Sequence, residues 1–238
     1  MLVNYFYLYI LSSFNMIKKL LLISIILLSS LITNGQMNGD ARYSLGVRGY
    51  NYLQLPKLMD EPGGNRFISS KFSSYFIKFN DNLFSYRLNG SYFNQSLTLN
   101  NDCDNCGVFQ GKNKDYSFKM GFEKNLVYGS IQPYFAFDLG YRSNEYNGIQ
   151  AVENQPNLNI DARKRGFTIS PVFGIKLSPI RELSIFAESS LDLFYAWGKT
   201  TSGEQIEPEL RTLTRFKKGE FLYNPVSIGI QVHLGHKK

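Results

Sequence analysis

Between Asp115 and Tyr141 apolar and polar residues alternate with a period of two, twice in succession. Tyr116, Phe118, Met120 and Phe122 alternate with Asp115, Ser117, Lys119, Gly121 and Glu123. After a short break, Ile131, Pro133, Phe135, Phe137, Leu139 and Tyr141 alternate with Gln132, Tyr134, Ala136, Asp138, Gly140 and Arg142. Side chains of a strand point to opposite faces in turn, so the segment predicts a hairpin with one aromatic face and one polar, small-residue face. Each strand has the length that a tilted membrane-crossing strand needs, roughly 9–11 residues.

The same alternation recurs along the chain and predicts about eight strands, near 42–54, 67–79, 83–95, 114–125, 130–142, 165–177, 183–195 and 220–234. Connections alternate in length. Short turns fall at Asn80-Asp81-Asn82, at Lys124 to Gly129 and at Ser178 to Glu182; long polar loops are expected near 55–66, 96–113, 143–164 and 196–219. Tight turns at one end and long loops at the other are the pattern of membrane barrels, and an even strand number leaves both termini on the short-turn side. The lumen of an eight-stranded barrel is just wide enough to be filled by side chains. Columns of Phe and Tyr would overfill it, whereas Gly, Ser, Ala and paired charges fit, so the aromatic face is expected to meet lipid. Pro171 breaks the pattern of strand six, because proline lacks the ladder donor and usually marks a bulge or a strand end.

Composition supports this reading. Of the 238 residues, 15% are aromatic but only one is Trp, and only 19% are charged; Phe and Tyr in that proportion suit a lipid-facing surface with rings at its borders. The net charge of +7 is spread along the chain without a basic run, which argues against nucleic acid as a partner. Near the N-terminus, Lys18-Lys19 precede the apolar run Leu20 to Leu28 and a polar segment ending at Gln36, the order of a secretory signal peptide. Residues 1–36 are therefore expected to be a signal peptide, with Met16 as the expected translation start, and 37–238 the barrel domain. Removing Lys18 and Lys19 takes the charge from +7 to +5.

The hairpins resemble a known family. Met120-Gly121-Phe122-Glu123 followed by Ile131-Gln132-Pro133-Tyr134-Phe135-Ala136-Phe137-Asp138-Leu139-Gly140-Tyr141 is similar to the repeating units of small outer-membrane β-barrel domains, the porin-family or outer-membrane-protein-A-like barrels. So is Ile169 to Lys176 followed by Leu183 to Glu188. The resemblance implies an all-β chain folded as a single antiparallel up-and-down transmembrane β-barrel of about eight strands, preceded by the signal peptide. It also implies an outer-membrane location in a Gram-negative-type envelope, with both termini periplasmic. Outer-membrane lipid, lipopolysaccharide and the barrel-assembly machinery are the expected partners of a monomer. No cofactor or metal is implied.

If the polar face is internal, Arg48, Arg87, Lys119, Glu123, Asp138, Arg142, Lys176, Glu188 and Asp192 point into the lumen. Buried charges persist when paired and hydrogen-bonded, so the first expectation is a plug of ion pairs, and the alternative is a narrow charge-lined conduit whose pairs rearrange to pass ions. Cys103 and Cys106 are the only cysteines; in an exported chain they are expected to form a disulfide closing a tight turn. Catalysis on membrane lipid would need a His and a Ser together on the external half. The histidines are His233 and His236, both near the short-turn end, where His233 is expected to be a solvated rim residue within reach of Ser227 or Ser184. The expected role is structural or surface-binding and non-enzymatic, with a small channel as the alternative and a lipid-modifying enzyme third.

Overall fold

The computed structural model describes residues 41–57, 67–81, 84–99, 107–151, 156–204 and 211–236. Eight strands follow one another: β1 (Ala41–Gln54), β2 (Phe67–Asp81), β3 (Phe84–Leu99), β4 (Val108–Asn125), β5 (Ile131–Ala151), β6 (Leu158–Ile180), β7 (Leu183–Glu204) and β8 (Arg211–His236). Each pairs antiparallel with its neighbour in sequence, and β1 pairs with β8 from Ala41–His236 to Tyr52–Val226, which closes the sheet into a barrel. Residues 1–36, expected to be a signal peptide, and Cys103 and Cys106, expected to form a disulfide, lie outside the described residues.

The alternation sorts side chains as volume requires. Tyr116, Phe118, Met120 and Phe122 of β4 and Val226, Ile228, Ile230 and Val232 of β8 are exposed on the outer wall, while Glu123, Asp138, Lys176 and Asp192 are buried inside. Large rings do enter the lumen where a facing glycine makes room. Phe76 lies against Gly46 and Tyr134 against Gly174, so close that a Cβ on either glycine would stand 2.1 Å from Phe76 Cζ or 2.3 Å from Tyr134 Cζ. Two interior rings are thus seated on bare backbone and pack beside the charges.

Two expectations are corrected. The segments 143–164 and 196–219 are mostly strand rather than long loops: β5 continues to Ala151, β6 begins at Leu158, β7 reaches Glu204 and β8 begins at Arg211. Likewise β4 begins at Val108, inside the segment expected as the loop 96–113. In these extensions both faces carry polar residues, so the two-residue rhythm fades although the ladder continues. Pro171 neither ends β6 nor shifts its register. It stands opposite Phe137 on β5, and on the other side the β6–β7 ladder lapses over Ser170 and Pro171 and resumes at Val172–Ser190 in the same register. The missing donor is absorbed by one local gap.

The wall is uneven in height. β5 to β8 run 21 to 26 residues, and β1 to β3 only 14 to 16. The seam between β2 and β3 is also short: pairing runs from Asp81–Phe84 to Ser74–Ser91, beyond which β2 pairs only with β1 and β3 only with β4. Just there β2 carries Phe72 at φ 50°, and the register between β1 and β2 shifts between Arg48 and Tyr50. The extra residue is a bulge: Lys71 and Phe72 are both exposed and Ser73 and Ser74 both buried, and above it Ser70 and Ile68 face inward in the same phase as Phe76 and Lys78 below.

Candidate functional site

The interior is ordered in layers from the short-turn end upward. In the lowest layer His233 is buried, and its two ring nitrogens lie 2.9 Å from Ser44 Oγ and 2.6 Å from Ser184 Oγ; Ser178 Oγ is 2.7 Å from Ser184 Oγ. The expectation of a solvated rim histidine is therefore corrected. Alternation on β8 turns His233 inward with Gln231, and the neighbouring strands β1 and β7 supply the hydroxyls. Ser184 and Ser44 are fully buried, so this Ser–His contact is a hydrogen-bonded floor with no face open to a substrate.

Above it, side chains from seven of the eight strands meet in one charge network. Glu123 accepts from Lys78 Nζ and Lys176 Nζ, both at 2.6 Å, and lies 3.3 Å from Arg87 Nη1. Arg87 donates through Nε and Nη2 to the two carboxylate oxygens of Asp138, at 2.8 and 2.6 Å, and through Nη1 to Glu188 at 3.1 Å. Glu188 also accepts from Arg48 Nε at 2.8 Å. A fork-to-fork arginine–carboxylate pair is the strongest geometry open to these groups. The interior rings back the network: Lys78 Nζ lies 4.7 Å from the centre of Phe76, and Lys176 Nζ 4.8 Å from that of Tyr134.

A second network lies nearer the long-strand end. Lys119 Nζ donates to both oxygens of Asp192 at 2.8 Å and to Ser170 Oγ at 2.9 Å. Arg142 donates to Asp115 at 3.0 Å and approaches Asp192 to 3.7 Å. A polar cavity of about 110 Å³ is lined by members of both networks, including Arg48, Arg87, Lys119 and Asp192, and by Ser73, Ser74, Gly90 and Ser91 beside the short β2–β3 seam. Apolar groups converge farther up. Leu55, Ile68 and Phe93 form one buried cluster, Phe194, Ala196 and Leu222 a second, and Phe109, Tyr146, Ile160 and Ala162 a third. Lys164 pairs there with Glu220, which also accepts from the backbone N–H of Lys57 at 3.1 Å.

All nine charged residues singled out from the sequence face the interior, and the two networks contain all of them. Sequence reasoning missed Lys78, Asp115, Lys164 and Glu220. Lys78 was hidden because the run Tyr75-Phe76-Ile77 obscures the phase of β2. Asp115 stood on the polar face of β4 but at the border of its alternation. Lys164 and Glu220 fall in or beside segments expected to be loops.

No protein-family profile matches the sequence, and no curated protein matches it. Solved structures do resemble it in shape. The outer membrane protein OprG from Pseudomonas aeruginosa superposes with a TM-score of 0.53 at 11% identity, over 83% of this chain and 100% of that one. Ail, the attachment invasion locus protein of Yersinia pestis, gives a TM-score of 0.41 at 9% identity, over 81% of this chain and 98% of that one. CarO from Acinetobacter baumannii gives 0.39 at 9% identity, over 80% and 96%. At such identities the likeness to OprG speaks for the fold alone. The closed ring of eight antiparallel strands, with rings outside and charges inside, is the fold of the small outer-membrane β-barrels.

Proposed function

We propose that this chain is a monomeric, non-catalytic barrel of the outer membrane whose lumen is plugged and whose raised β5–β8 wall serves as a surface-exposed binding platform. The observation that carries the reading is the contrast between its faces. An outer wall studded with exposed Phe, Tyr, Ile and Val is costly in water and stable in hydrocarbon. The lumen is crossed by side chains from seven strands, so its charges act as a plug. Residues 1–36 act as the export signal in this reading. Both termini lie in the periplasm, and the assembly machinery inserts the chain. Beyond the last outward ring of each strand, β5 to β8 continue for about seven to ten residues, roughly 23–33 Å along the strand, into the external medium.

The test is expression with the native N-terminal segment in a Gram-negative host, followed by electrophoresis of the outer-membrane fraction with and without boiling. A faster-migrating unboiled band, together with cleavage of the β6–β7 extension by protease added to intact cells, supports the reading. Soluble periplasmic protein with no heat-dependent shift overturns it. One observation favours a second reading, a small conduit for ions or polar solutes: the polar cavity lies beside the parted β2–β3 seam. Conductance separates the two.

A further inference from the structure

Cross-strand register brings a set of cations together on the outer face of the raised wall. One row runs Lys114–Glu145–Arg163–Lys199–Arg215 across β4 to β8, each residue standing opposite the next. The adjacent row on the same face runs Tyr116–Ser143–Arg165–Trp197–Lys217, and the one below it Phe118–Tyr141–Phe167–Tyr195–Gly219. Over three successive rows the outer face passes from rings, to rings mixed with cations, to cations. That is the order of acyl chains, interface and headgroups met on leaving a bilayer, where Tyr and Trp concentrate.

The charge in these rows is not balanced from within. Six cations, Lys114, Arg163, Arg165, Lys199, Arg215 and Lys217, share one carboxylate, Glu145, which lies 3.0 Å from Arg163 Nε and 3.2 Å from Arg165 Nη2. Lys114, Lys199, Arg215 and Lys217 make no ion pair with any described residue. Arg163, Lys199 and Arg215 stand opposite one another on three neighbouring strands about 4.8 Å apart, a placement in which like charges repel. Trp197 packs edge-to-face on Phe167 and Tyr195, with ring centres 5.5 and 6.1 Å apart, and forms an apolar step directly beneath this row.

We propose that these rows form a binding site for the phosphate groups of an outer-leaflet glycolipid, whose acyl chains lie down the ring-covered wall below. The cations of β6, β7 and β8 hold the phosphates, and Trp197, Phe167 and Tyr195 contact the first chain segments. The inference rests on the membrane reading above and names the ligand of the same raised wall. Charge complementarity selects the ligand's headgroup, and the apolar rows select a lipid over a free anion.

The test uses the full chain, folded in detergent and verified by its heat-dependent mobility. Native mass spectrometry then measures retention of lipid A, of enzymatically dephosphorylated lipid A, and of lipid A in the presence of millimolar inorganic phosphate. The expected result is selective retention of the phosphorylated lipid, resistant to inorganic phosphate. In the triple variant Arg163→Gln, Lys199→Gln, Arg215→Gln retention falls on the order of a hundredfold, from the loss of three basic groups near a charged surface. The single variant Trp197→Ala, which leaves every cation in place, weakens retention less. Equal retention of the phosphorylated and dephosphorylated lipids by a folded barrel overturns the proposal alone, as does full displacement by inorganic phosphate. A chain that folds without detergent and stays in water overturns the membrane reading and this proposal together.

Discussion

Charges inside the barrel and charges on its outer wall obey opposite rules. Inside, Arg48, Lys78, Arg87, Lys119, Arg142 and Lys176 each have a carboxylate within 3.0 Å. Outside, in the two rows at the edge of the ring-covered belt, six cations share the single carboxylate of Glu145. The inner groups are buried, where an uncompensated charge costs several kcal/mol, so the fold tolerates them only in mutual pairs. The outer groups stand in water or among headgroups, where repulsion is screened and an external anion can supply what the chain does not. The same residue types are thus cement in one place and, in the proposal above, a binding surface in the other.

Removing a carboxylate from the centre of the inner network is the harshest way to break this contrast. Glu123→Ala leaves Lys78, Lys176 and part of Arg87 without a counter-charge and is expected to cost about 3–5 kcal/mol. Urea unfolding from vesicles, followed by the fluorescence of the single Trp, Trp197, measures it. Asp192→Ala should cost less, about 1–3 kcal/mol, because Arg142 keeps Asp115 while Lys119 keeps only Ser170. The same unfolding assay checks it.

Gly174→Ala tests the seating of the interior rings. The added methyl meets Tyr134 at 2.3 Å and displaces the ring that lies beside Lys176, at an expected cost of about 1–3 kcal/mol. Gly90→Ala, on the outer wall where a Cβ meets nothing within 4 Å, is the matched control and should change stability little. The smallest expected effect on stability comes from the outer rows. Arg163→Gln, Lys199→Gln and Arg215→Gln together should shift unfolding by no more than about 0.5 kcal/mol, and toward greater stability in lipid without phosphate, because they relieve repulsion. Raising salt should mimic that gain in the wild-type chain and leave the penalty of Glu123→Ala almost unchanged.

The fold was legible where water and lipid impose opposite demands on the two faces of a strand. β4, β5 and β7 alternate cleanly through the ring-covered belt, and that rhythm, with the small volume of the lumen, assigned six interior charges on them; the same alternation on β1, β3 and β6 gave Arg48, Arg87 and Lys176. It faded where that opposition ends. In β5 beyond Tyr141 and β6 before Phe167 the outer face turns polar while the inner one mixes Asn144 and Lys164 with Tyr146, Ile160 and Ala162, so strand read as loop, and Lys164 and Glu220 went unassigned. The phase of β2 was masked because a bulge at Phe72 interrupts it and Phe76 enters the lumen over Gly46. Sequence separation hid the rest. Nothing local ties Ser44 to His233 across 189 positions, and only closure of β1 on β8 brings them together. The basic rows escaped notice for the same reason, since Lys114, Arg163, Lys199 and Arg215 become neighbours only through register.

A membrane-inserted barrel whose lumen is held shut by its own ion pairs is the central claim, and single-channel recording of the purified, heat-modifiable chain in planar bilayers tests it most directly. The account predicts no sustained conductance for the wild-type chain, with openings only once the plug is loosened by Asp192→Ala or Glu188→Ala. Steady wild-type conductance that those substitutions alter without lowering stability would contradict the plug and make the interior charges the lining of a pore.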